Sequence, residues 1–188
     1  MRHFMTLLAF FILACNQQAE AKIPTRQAVW NSSMKEINTI FLDQRADMHV
    51  PNGSIAEAIA ESIQATSGSE DEIVEIGKDI YLVPGCRPKS CTEKGALIVD
   101  AHKRHVLAIG LRHFHCHTIP AENIQVTGNK INNLSVMCDS NPTLTVFVIR
   151  RTRKTVSKDA EEKLIGIIKR WAHGAGYVNE EVRYVLTK

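Results

Sequence analysis

The sequence has no apolar run long enough to cross a bilayer as a helix, which takes roughly 20 residues. Its N-terminal run, Phe4 to Ala14, has 11 residues. Charge of one sign is also scarce. Twenty-three Lys and Arg face 20 Asp and Glu, a net of +3. That is too weak to imply nucleic acid, and no nucleic-acid motif occurs. A Gly-rich phosphate loop, a Gly-x-Ser-x-Gly elbow and a His-Glu-x-x-His helix are all missing. The sequence grounds for the chemistries those motifs carry go with them. Internal repeats and domain-sized linkers are missing too, which points to one domain.

The short apolar run is informative in its own right. Arg2 and His3 precede it, and a polar stretch ending Ala19-Glu20-Ala21 follows it. Positive start, apolar stretch and small-x-small site stand in the order of a secretory signal. The expectation is a signal peptide over 1–21 and a periplasmic or secreted protein. A second route is open. Ile12-Leu13-Ala14-Cys15 resembles a lipoprotein box, with the signal ending at residue 14 and Cys15 lipidated at the outer membrane. Residues 22–188 are then a single domain, long enough for its own core.

Cys86, Cys91, Cys116 and Cys138 remain after such cleavage. An even number in an oxidising compartment predicts two disulfides, and four cysteines allow three pairings. Cys86–Cys91 with Cys116–Cys138 is the simplest, since each closes a local loop.

Periodicity predicts α+β. Trp30, Met34, Ile37 and Phe41 share one face of a helix over 29–42. Ser54 and Glu57 form a capping box for a second helix with Ile55, Ile59 and Ile63 on one side. Strands are expected at 73–76, 80–83, 96–99, 105–111, 124–126, 133–137 and 144–149. Ser157 caps a third helix whose stripe is Ala160, Leu164, Ile167, Ile168 and Trp171. Val182, Tyr184 and Leu186 alternate as a last strand. The expected fold is a central antiparallel sheet with helices packed on one face.

The most specific segment is Tyr81-Leu-Val-Pro-Gly-Cys86-Arg87-Pro88-Lys89-Ser90-Cys91. Two strands flank a cysteine-bounded loop, and Pro88 fixes one φ angle. A stiff projecting loop binds with little ordering cost. Together with Gly77-Lys-Asp-Ile-Tyr81, Ala96-Leu-Ile-Val and His105-Val-Leu-Ala-Ile-Gly, this segment resembles the inhibitor of vertebrate lysozyme (Ivy) family. The resemblance runs over about 30–111, is strongest over 76–111, and leaves the C-terminal part as an extension. It implies a sheet with helices on one face. It also implies a loop that enters a lysozyme cleft, so that Cys86, Arg87, Pro88, Lys89, Ser90 and Cys91 contact a protein partner, a lysozyme or another peptidoglycan hydrolase. The loop centre departs from the family. Lys89 stands where the family has His, and Ser90 where it has Asp. Arg87 and Lys89 then make a cationic tip suited to a cleft with two carboxylates. The expected role is an inhibitor or immunity-like binding protein rather than an enzyme.

Two other readings compete. His113, His115 and His117 alternate in His113-Phe-His-Cys-His117, so on one strand they share a face and suit zinc or copper. Lipidation at Cys15 would instead fit a structural subunit of an envelope complex. Arg150-Arg151-Thr-Arg153-Lys154 reads as a solvated basic loop.

Overall fold

The computed structural model describes residues 25–63, 72–87, 90–120, 134–151, 157–173 and 179–187. The signal peptide expected over 1–21, with Cys15, and the strand expected at 124–126 lie outside the described residues.

Helix α1 spans Arg26–Ile40. Thr25 caps it, its hydroxyl accepting the Ala28 N–H at 3.3 Å. Ile37 and Phe41 are buried, with Trp30 and Met34 packed beside them. Strands β1 (Arg45–Met48) and β2 (Val50–Ser54) then pair as a small antiparallel hairpin. Periodicity gave no sign of it. His49 makes the tight connection at a left-handed φ of 60°, and Asn52 sits inside β2 at φ 51°. Helix α2 spans Ile55–Ile63. The Ser54 hydroxyl accepts the Glu57 N–H at 3.4 Å, as the capping pattern predicts.

Six strands form the central sheet: β3 (Val74–Gly77), β4 (Ile80–Arg87), β5 (Ser90–Asp100), β6 (His105–His113), β9 (Thr143–Arg151) and β10 (Asn179–Thr187). Their order is β10-β9-β6-β5-β4-β3. Every pair is antiparallel except β9–β10, which is parallel. This corrects the expectation of a purely antiparallel sheet. Helix α3 (Lys158–His173) lies between β9 and β10 in the chain. It supplies the crossover that parallel neighbours require. Outside the sheet, β7 (Cys116–Pro120) pairs antiparallel with β8 (Leu134–Cys138). The expected Cys116–Cys138 disulfide joins directly opposed residues of this pair.

The class is α+β around a large sheet, as expected, and α1 and α2 share one face. Helix α3 covers the other face. The reason is visible in the strands. Leu97, Val99, Ile109, Leu111, Phe147 and Ile149 pack under α1 and α2. Their alternating neighbours Ala96, Ile98, Ala108, Val146 and Val148 pack with Ile168 and Ala172 of α3. Strands apolar on both sides need cover on both sides.

Bare backbone sets the helix seats. A Cβ at Gly110 would lie 2.3 Å from Ile168 Cγ2. Gly85 and Gly95 face each other across β4 and β5. A Cβ at Gly85 would lie 2.5 Å from the Ile63 carbonyl oxygen, and one at Gly95 2.6 Å from Ile63 Cγ1. The glycine pair lets the last turn of α2 sit directly on the hairpin.

Candidate functional site

The β4–β5 hairpin carries the cysteine loop. Its ladder continues to Arg87 opposite Ser90. Cys86, Arg87, Ser90 and Cys91 therefore belong to the strands, and the connection is residues 88–89. The loop expected to project thus stands at the end of a long hairpin. Pro88, Lys89 and the Cys91 side chain lie outside the described residues, and the Cys86–Cys91 bridge with them. Cys86 is buried.

Arg87 is not part of an open cationic tip. Its Nε lies 3.2 Å from Glu61 on α2, and its Nη1 donates to both Glu93 oxygens at 3.0 and 2.9 Å. The guanidinium fork suits this double engagement. Glu93 comes from β5 and also meets His49, which donates from Nδ1 to Oε1 at 2.6 Å. On the other side of the ring, Nε2 lies 2.9 Å from the Ser62 hydroxyl. Burial pushes the Glu93 carboxyl up, but hydrogen bonds from Arg87 and His49 outweigh it and hold it below the usual carboxylate range.

One polar chain thus runs Glu61–Arg87–Glu93–His49–Ser62. It ties the hairpin stem to the last turn of α2 and to the β1–β2 connection. Ser62, His49 and Glu93 have the order of a nucleophile, base and orienting acid. Ser62 is 0% exposed, however, so its oxygen is closed to solvent in this packing. In this packing the chain is a fastening, and buried polar groups must be paired in this way to be tolerated.

A second buried chain lies on the same face. His113 ends β6, and its Nε2 is 3.0 Å from the Thr145 hydroxyl of β9. Thr145 also meets Glu181 of β10 at 3.3 Å. Arg183 braces Glu181 through Nε at 2.8 Å. Burial lowers the His113 pKa from 6.5 to about 4, with His115, His49 and Arg183 nearby adding to the effect.

The three histidines expected on one strand face do not share a strand. Strand β6 stops at His113, Phe114 breaks the alternation, and β7 begins at Cys116. His113 and His115 meet edge to face with centroids 4.8 Å apart. The His115 ring is 3.1 Å from the Asp47 carbonyl, while His117 is exposed on β7. Among the described residues no three His, Cys, Asp or Glu side chains are grouped to hold a metal ion. The basic run begins inside β9, and its start is engaged. Arg150 forks onto Glu161 at 2.7 and 2.6 Å, and Arg151 pairs with Glu36.

Sequence reading missed His49, Ser62, Glu93, Thr145 and Glu181. Each is a polar residue inside an otherwise apolar element or beside one. That was the available signal, but His49 lies 13 residues from Ser62 and 44 from Glu93, and Thr145 lies 32 from His113 and 36 from Glu181. A half-open cavity of about 460 Å³ lies at the far end of β5, beside α1 and lined by Asn31, Ser32, Asp100 and Arg104.

No helix among the described residues is long and apolar enough to cross a membrane. Family models, curated proteins and solved structures were all compared with this chain, and none matches it.

Proposed function

We propose that this is an exported envelope protein, periplasmic or secreted, that binds and inhibits a partner protein through the end of the β4–β5 hairpin. The partner class that suits the loop is a peptidoglycan hydrolase. The observation that carries the reading is the fastening of Arg87 by Glu61 and Glu93, with Glu93 held in turn by His49. A hairpin end fixed at its stem before any partner arrives loses little freedom on docking. The contact then falls on Pro88, Lys89 and Ser90, with Lys89 as the cation that meets an acidic cleft. Arg87 acts behind it, as a brace.

Turbidity of a peptidoglycan suspension under a lysozyme tests the reading. Stoichiometric protein should slow lysis. Lys89→Ala should raise the concentration needed by roughly tenfold, the effect of about 1.4 kcal/mol. Circular dichroism should stay unchanged. Undiminished lysis by a panel of peptidoglycan hydrolases at molar excess would sink the reading.

A further inference from the structure

The two edges of the sheet are unlike. Strand β3 has four residues, with a register shift between Glu75 and Gly77. Short, irregular edges of this kind resist pairing. Strand β10 has nine residues and follows β9 in unbroken register from Asn179 opposite Thr143 to Thr187 opposite Arg151. Among the described residues nothing pairs with its outer edge. Two large apolar side chains stand exposed on it, Tyr184 at 49% and Leu186 at 72%. Regular and long, with two exposed apolar side chains, this edge is the kind that templates another strand.

We infer that β10 pairs with β10 of a second copy, antiparallel about a two-fold axis normal to the sheet, joining two six-stranded sheets into one. Such an axis keeps each sheet face on its own side, so residues that share a face must oppose one another. With Tyr184 on the axis, Val182 meets Leu186 on the α3 side. On the other side Arg183 meets Val185, and Glu181 meets Thr187. No like charges oppose each other in this register, and the exposed apolar pair is covered. Placing Arg183 on the axis would set two guanidinium groups face to face, which disfavours that neighbouring register. The charges of β10 are already answered within the chain. Glu180 meets Lys169 and His173 of α3, and Glu181 meets Arg183. They do not repel an incoming copy.

Sedimentation velocity on the full mature chain tests this. The mass should rise to twice that of one chain as concentration increases, and Leu186→Lys should hold it at one. Leu186 is mostly exposed, so that variant keeps its fold. Tyr184→Cys should give a covalent dimer under mild oxidation, because opposed Cβ atoms lie about 4.5–5.5 Å apart. Asn179→Cys, which opposes no described residue of the second copy, should not. A single-chain mass at every concentration overturns the inference. So does a dimer that survives Leu186→Lys without Tyr184→Cys cross-linking.

Discussion

At the scale of single residues, His113 is the most consequential group. It is fully buried, and it has two partners for its two nitrogens: the Phe114 carbonyl at 3.3 Å and the Thr145 hydroxyl at 3.0 Å. Burial keeps the ring neutral by lowering its pKa to about 4. In the unfolded chain the same ring has the ordinary value of 6.5. As pH falls below 6.5, the unfolded state takes up the proton first. The stability that comes from keeping the ring neutral is complete above about 6.5 and is lost progressively toward about 4. Urea titrations across that interval should show unfolding free energy falling by up to about 3 kcal/mol. In His113→Gln the fall between pH 6.5 and 5 should be flatter. The carboxylates held low, Glu93 and Glu181 among them, lose their share at lower pH and in the same direction. An identical slope in the variant would refute the role given to His113.

At the scale of elements, the contact between α2 and the β4–β5 hairpin matters most. It exists because Gly85 and Gly95 leave the backbone bare where Ser62 and Ile63 arrive. The atom in the way of a new methyl at Gly85 is main chain, which cannot swing aside as a side-chain tip can. Gly85→Ala should therefore lift the last turn of α2 and cost about 2–3 kcal/mol. It should also loosen the fastening, raising hydrogen exchange in the hairpin strands. A stability change below about 0.5 kcal/mol would count against this picture. The helices themselves were legible in the sequence, because a 3.6-residue stripe and a capping Ser or Thr are local signals. So were most strands and the Cys116–Cys138 staple. The β1–β2 hairpin was not, since its turn rests on His49 in a left-handed conformation, which few residues other than glycine adopt. Nor was the partnering of Arg87. A lone arginine in a loop looks solvated until the fold brings Glu61 and Glu93 to it.

At the scale of the whole molecule, two apolar layers share one sheet. The sequence hinted at this in Ala96-Leu-Ile-Val99 and Leu144 to Ile149, which are apolar at every position except Thr145 rather than alternating. Continuous runs mean both sides are covered. An alternating pattern would have suited one covered side. The parallel placement of β10 was not legible, because alternation says nothing of strand direction. The layers should melt together, and the chain carries its own reporters. Trp30 packs on the α1 and α2 side, and Trp171 on the α3 side, and these are the only two tryptophans. Thermal melts followed by fluorescence of Trp30→Phe and of Trp171→Phe, each corrected for its own calorimetric midpoint, should coincide with the loss of circular dichroism. A fluorescence transition well before the calorimetric one in either variant would mean that the layers come apart separately.

Cover on both broad sides of the sheet has a consequence for how this molecule can meet others. Among the described residues, the helices cover most of both flat surfaces of the strands. Encounters made by the strands themselves fall at the perimeter, at the stapled β7–β8 pair with exposed Val136 and Met137 and at the outer margin of β10. Selection for a different partner can rewrite that rim residue by residue while both interior layers stay as they are.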